Sequence, residues 1–345
     1  MKKTAASNFS DLYLACCNGD IAVVERLLPV TPLKVLNYVE PDGNTCLHAA
    51  SSRGYNNIIT LLLRHGASRR VQDRNGRSPL EIARTGDVAK LFARPVEAAE
   101  KRFSASPAQQ PEWQFENDRA ESFSRAIHWG CIKDRGIKKT VEKIRKAGML
   151  DNDGEESTGI VQDYFNNALQ EKNPIYLLTA YTVENKFYKL LNREMATGNS
   201  RQVFEKLRGK WTGYYTGIIA RNSAFDNFRF SGQTYRGMEI TQSDFAQYKI
   251  GTALSNKSFQ STSKSWTIAK GFACPSQPRP GRLPVVIIFT ITDRRSALSI
   301  DAISYYQNEE EVLVLPGTLF IVSNINQDEF PYEVELEQLE WKNEF

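Results

Sequence analysis

The chain has 345 residues, 41% hydrophobic and 24% charged, which suits two ordinary globular domains and excludes a disordered or fibrous chain. Its 44 basic and 40 acidic residues leave a net charge of +4, too mild to argue for a nucleic-acid partner. Five irregularly spaced cysteines without a CxxC pair, and three histidines, argue against a zinc site and a disulfide framework, so the expectation is no metal and a reducing compartment.

The chain begins with a basic stretch, but Asn8, Ser10 and Asp11 stand where the apolar part of a signal segment would follow. No apolar run approaches a membrane span, and the longest, 285–291, suits a buried strand. The expected location is cytoplasmic, with delivery as an effector into another cell left open.

A repeat organises the first part of the chain. Gly43, Leu47 and Ala50 recur as Gly76, Leu80 and Ala83, each 33 residues on. An earlier copy runs from Leu12 through Gly19 and Asp20 to Leu28. In the middle copy, Thr45 to Ala50 form a turn-then-helix motif. A second helix ends in Leu61, Leu62 and Leu63 ahead of Gly66, a residue suited to a left-handed cap. These copies resemble ankyrin repeats. The resemblance implies an all-α block of about three repeats over residues 1–96, with loops and a concave face for a protein partner. His48 reads as a structural residue bonding local backbone.

Residues 97–114, with Pro107, Gln109, Gln110 and Pro111, read as a linker. Apolar spacing then predicts helices over 119–129, 138–146, 160–169 and 174–195, with an acidic loop at 148–159. From about residue 213 the texture turns to aromatics, threonines and β-branched residues. Strands are expected at 233–236, 258–261, 285–292, 312–315, 320–323 and 332–339, the last alternating and therefore half-buried. Helices followed by strands are an α+β signature.

Three segments carry candidate chemistry. In Tyr235, Arg236 and Gly237, the arginine offers a planar fork of donors for phosphate, and the glycine permits close backbone approach. Phe259 to Ser263 ends a strand in the hydroxyls of Ser261, Thr262 and Ser263; the same residues suit a capped helix over 266–272, and both readings can hold. Glu309, Glu310 and Glu311 run straight into the apolar Val312 to Leu315. On an extended backbone Glu309 and Glu311 share one face and Glu310 points away. Two carboxylates that close are costly unless a cation or a substrate uses them.

Together, in this order, the segments resemble the Arg-Ser-Glu class of ADP-ribosyltransferases, the arginine-directed group. Upstream, Ala180 to Thr182 and Phe187 to Arg193 look like that family's helical lead-in. The resemblance covers residues 115–345. It implies an α+β ADP-ribosyltransferase fold, with a helical lead-in (115–212) and a strand-rich catalytic part (213–345) whose two packed β-sheets flank an NAD cleft. It implies NAD as co-substrate and a protein with an exposed arginine as acceptor. By resemblance, Glu311 stabilises the cation formed as nicotinamide leaves, Glu309 grips and deprotonates the arginine, and Arg236 binds the NAD phosphates or a nearby ribose. Ser261 orients Glu311 and the nicotinamide ribose, with Tyr235, Gly237, Thr262 and Ser263 completing the NAD site. Tyr305 or Tyr306 either contacts the acceptor or simply packs. Asn256 stands where family members often carry an aromatic, which bears on local packing or substrate preference. The ankyrin block is expected to recruit a target or gate the site. An NAD glycohydrolase, an inactive ankyrin scaffold and a delivered toxin-like effector are the alternatives.

Overall fold

The computed structural model describes residues 9–92, 113–115, 117–127, 132–151, 156–183, 185–197, 200–306 and 309–339. They fall into two units, one of residues 1–94 with 305–307, the other of residues 95–304 with 308–345.

The first unit is built from short helices: α1 (Asp11–Asn18), α2 (Ile21–Leu27), α3 (Leu33–Leu36), α4 (Cys46–Arg53), α5 (Asn56–Arg64) and α6 (Gly86–Phe92). Ser10, Asp20 and Thr45 cap α1, α2 and α4 through side chains that accept backbone N–H groups left over at a helix start. Helix α5 stops where Gly66 takes φ 89°, and Ala67 N–H returns to the Leu62 carbonyl at 2.9 Å. Leu62 and Leu63 are buried between helices, each burial contributing about 1.5–3 kcal/mol. Neighbouring repeats are stitched by side chains. Asn37 donates to the Gly66 carbonyl at 3.2 Å and accepts from Ser68 N–H at 2.6 Å.

His48 is fully buried. Its Nδ1 accepts Thr45 N–H at 3.2 Å, closing a reciprocal cap, and its Nε2 meets the Arg77 carbonyl at 3.0 Å. That is the structural role expected for it, extended across a repeat boundary. Burial, the largest influence, lowers its pKa. The third copy departs from the middle one. Its Ser78 and Glu81 cap one another at 2.6 and 3.4 Å, yet residues 79–82 form turns rather than a helix.

In the second unit a helical layer precedes all of the sheet but its first strand: α7 (Asn117–Ala126), α8 (Ile137–Lys146), α9 (Glu156–Gln170), α10 (Ile175–Thr182), α11 (Lys186–Ala196), α12 (Ser200–Gly209) and α13 (Trp211–Arg221). The single helix expected over 174–195 is two. The Asn185 side chain accepts Phe187 N–H at 2.9 Å and starts a new helix there. The expected linker and parts of the helix at 119–129 and of the acidic loop at 148–159 fall outside the described residues. The exceptions in the linker are Trp113 and Gln114, which belong to a strand. Trp113 is buried, its ring 6.0 Å from that of Phe289, and that apolar anchorage holds the segment on the sheet.

Among the described residues, nine strands follow the hydrogen-bonded order β1-β3-β8-β9-β5-β2-β4-β7-β6. They are β1 (Trp113–Phe115), β2 (Gly232–Thr241), β3 (Ala253–Asn256), β4 (Gln260–Ser263), β5 (Arg282–Ile291), β6 (Ala297–Ser299), β7 (Glu311–Val314), β8 (Leu319–Asn326) and β9 (Tyr332–Gln338). Strands β5 and β9 pair in parallel, and the other pairs among the described strands are antiparallel. The two sheets expected from the resemblance are joined into one order, and the join is narrow. Strand β2 pairs with β5 from Gly232↔Ile291 to Thr241↔Arg282, but with β4 only at Tyr235↔Ser263. Two α-helices lie among the described strands, the short α14 (Gln242–Phe245) and α15 (Trp266–Ala273). Strand β5 is apolar throughout its middle because both faces are covered. Val285, Ile287 and Phe289 face the main core, and Val286 packs under α15 with Ala269 and Ala273. In β9, Val334 and Leu336 are buried between more exposed glutamates, as the alternation requires. No helix among the described residues is long and apolar enough to cross a membrane.

Candidate active site

The site lies where β2, β4 and β7 meet, at the narrow join. Each strand is held there by non-local contacts. Phe259, just ahead of β4, is buried against Tyr181 of α10 and Tyr215 of α13, with ring centroids 5.3 and 6.1 Å away. Asn256 replaces apolar packing with hydrogen bonding. Its side chain donates to the carbonyls of Ser258 and Leu315, each at 2.9 Å, and accepts Thr318 N–H at 2.9 Å. That clamp ties the β3–β4 turn to the β7–β8 turn, which accounts for an amide in an aromatic's place.

The eight residues singled out in the sequence line one small cleft: Tyr235, Arg236 and Gly237 from β2, Ser261, Thr262 and Ser263 from β4, and Glu309 and Glu311. Arg236 is 4% exposed and donates from a terminal nitrogen to the Ser261 carbonyl at 3.0 Å, linking β2 to β4 beyond their single registered pair. Thr262 donates to the Val312 carbonyl at 2.7 Å, and Thr234 to the Ser263 carbonyl at 2.9 Å. Ser263 Oγ accepts Ser265 N–H at 3.0 Å, where Ser265 caps α15. The hydroxyl run is therefore both cleft lining and helix entry.

Two expectations take a specific form. The close backbone approach expected at Gly237 is that of helix α15, since a Cβ at Gly237 would lie 1.7 Å from the Ala269 carbonyl oxygen and 2.7 Å from Ala273 N. The second concerns the triplet. Glu310 has φ 48°, so the chain is not extended through it and strand alternation does not apply. The left-handed turn, pinned by Lys264 N–H donating to the Glu310 carbonyl at 3.0 Å, brings Glu309 to the same cleft as Glu311 and leaves Glu310 exposed. The side-chain placement matches the expectation, but a turn produces it.

The sequence reading missed two side chains. Phe272 of α15 forms part of the cleft wall. Its helical position was legible, but its direction depends on α15 packing over Gly237. Ser304 is also missed, and its Oγ donates to Glu311 Oε2 at 2.8 Å. Chemically, the cleft sets one guanidinium, two carboxylates and an aromatic face around a small space.

A family model described as NAD:arginine ADP-ribosyltransferase matches residues 161–344, and a model of ankyrin repeats matches residues 12–101 in three copies. Among curated proteins the chain is similar to a tRNA endonuclease ANKZF1 of Bos taurus, 33% identical over 112 residues. That match covers 30% of this chain, which spans only 15% of the relative's length. Among solved structures it is similar to the type III effector XopAI from Xanthomonas axonopodis pv. citri, with TM-score 0.42 and 16% identity, covering 65% of this chain and 97% of that one. It is also similar to the ADP-ribosyltransferase HopU1 of Pseudomonas syringae pv. Tomato, with TM-score 0.37 and 15% identity, covering 65% and 98%.

Proposed function

We propose, because this chain belongs to the NAD:arginine ADP-ribosyltransferase family, that it transfers ADP-ribose from NAD to an arginine side chain of a target protein and releases nicotinamide. The observation that carries the reading is the convergence of Arg236, Ser261, Glu309 and Glu311, from three distant segments, on one cleft.

The reaction breaks the bond between nicotinamide nitrogen and ribose C1′. The leaving ring takes the electron pair, and the sugar becomes cationic as in glycoside hydrolysis. Glu311 stabilises that cation beside the ribose 2′-hydroxyl. Arg236 binds the phosphates or a nearby ribose, and Ser261 orients the nicotinamide ribose. Phe272 gives the pyridinium ring a flat face. The acceptor guanidinium is a poor nucleophile while protonated, so Glu309 grips it and takes its proton as nitrogen attacks C1′. Tyr235, Gly237, Thr262 and Ser263 shape the NAD site, and the Thr262 hydroxyl also ties β4 to β7. The ankyrin unit recruits the target protein through its loops. A cytoplasmic, reducing setting suits the free thiols of Cys16, Cys17, Cys46 and Cys274.

Incubation with labelled NAD and the arginine analogue agmatine tests the reading. The chain is expected to label agmatine, and Glu311→Gln to lower both labelling and nicotinamide release by about 10²–10³. Glu309→Gln is expected to lower labelling by at least about a hundredfold while nicotinamide release persists. Brisk release without labelling in the wild-type chain would identify a glycohydrolase instead, and labelling that survives Glu311→Gln would remove Glu311 from the mechanism.

A further inference from the structure

We infer that Ser304 is a positioning residue for Glu311, its hydroxyl holding the carboxylate in the orientation that NAD cleavage requires. The inference rests on the transferase reading of the cleft. Ser304 lies outside the three motifs and does not line the cleft, so it would act through Glu311 and not on NAD.

The geometry is a closed circuit of three hydrogen bonds. Ile300 N–H donates to the Glu311 carbonyl at 2.9 Å, and Ser304 N–H donates to the Ile300 carbonyl at 2.7 Å. Ser304 Oγ then donates to Glu311 Oε2 at 2.8 Å. The circuit links both ends of Glu311, its backbone oxygen and its carboxylate, to one tight turn after β6. Every member is buried, with Ser304 and Glu311 each 1% exposed and Ile300 0%.

Why a carboxylate here needs such a partner follows from its torsions. Strand pairing fixes the Glu311 backbone opposite Ser263, but the side chain keeps its own rotations, and its terminal torsion is broad. Stabilising a cation that exists only in the transition state demands a fixed carboxylate plane. A charge-assisted hydrogen bond to one oxygen supplies that plane and offsets part of the cost of burying the charge.

Steady-state nicotinamide release by the full chain, with thermal unfolding alongside, tests this. Ser304→Ala is expected to lower kcat about ten- to a hundredfold, with KM for NAD within about twofold, because the lost bond is to a charged group. Ser304→Thr, which keeps the hydroxyl, is expected to restore most of kcat. Ser304→Cys keeps the volume with a weaker donor and is expected to lose kcat with an unfolding midpoint near wild type, which serves where alanine disturbs folding. Thr318→Val removes an equally buried hydroxyl that donates to the Leu315 carbonyl and is expected to cost stability with kcat within about twofold. An active wild type with unchanged kcat in Ser304→Ala and Ser304→Cys overturns the positioning role, as does a matching kcat loss in Thr318→Val. A wild type that releases no nicotinamide overturns the transferase reading itself, and this inference with it.

Discussion

The ankyrin stack and the sheet-bearing unit reach order by opposite routes. In the stack the ties between repeats join residues about one repeat apart. Asn37 bonds Gly66 and Ser68, 29 and 31 residues on, and His48 meets the Arg77 carbonyl 29 residues on. In the second unit the decisive ties are long. Asn256 reaches Leu315 and Thr318, 59 and 62 residues on, and Ser124 reaches the Gly317 carbonyl 193 residues on. A stack of short-range contacts distributes stability repeat by repeat. A sheet closed by long-range contacts must form largely as a whole, because loop closure comes before the contacts that reward it. The two units should therefore respond differently to a single defect.

The sharpest test of that contrast is Gly237→Ala. The added methyl would meet the backbone of α15, not a flexible side chain, so neither partner yields cheaply. A loss of about 3 kcal/mol is expected. It should appear in calorimetry as a fall of the sheet unit's transition, with loss of nicotinamide release, while helical signal from the stack persists. A variant that keeps its stability would show that α15 can be displaced and that the join is not rigid.

A smaller effect should confine itself to the stack. Burial lowers the pKa of His48, so the unfolded chain takes up a proton before the folded chain does as pH falls. Its neutral, capped form is fully stabilising above the ordinary histidine value of about 6.5, and stability declines as pH drops through that value toward the lower folded one. Thermal unfolding followed from pH 8 to 5 should show this decline in the stack's transition. His48→Gln should flatten it at a cost of about 1 kcal/mol. An unchanged slope in the variant would assign the acid sensitivity to other groups.

The smallest effect concerns Glu310. A non-glycine residue at φ 48° carries strain, and glycine relieves it at the expense of a looser unfolded chain. Glu310→Gly should change stability by less than about 1 kcal/mol and keep acceptor labelling, because the Lys264 N–H bond to the Glu310 carbonyl needs no side chain. Loss of labelling without loss of nicotinamide release would mean that the glutamate side chain itself engages the acceptor.

What was legible in the sequence follows the same division. Gly66, His48 and the leucines of α5 report their roles locally, since a cap or a helix face is decided within a few residues. The strand of 285–291 was legible because burial on both faces leaves an unbroken apolar run. Strands β1, β3 and β6 were not, being short pieces of three or four residues whose pairing partners supply most of their reason to be extended. Leu80 and Ala83 repeat the helical positions of Leu47 and Ala50, yet residues 79–82 form turns, because one reciprocal cap does not carry a helix past its costly first turn.

By itself the sequence determined the repeat block, the α+β order of the rest, and the eight residues that converge on the cleft, because residue type and order carry that information. Only the tertiary structure decided how they converge. The left-handed turn at Glu310, the helix backbone over Gly237, the Asn256 clamp and the Ser304 hydroxyl on Glu311 each depend on a partner brought close by folding. No local pattern encodes such a partner, because its distance along the chain is set by the topology of the sheet and not by any period of strand or helix.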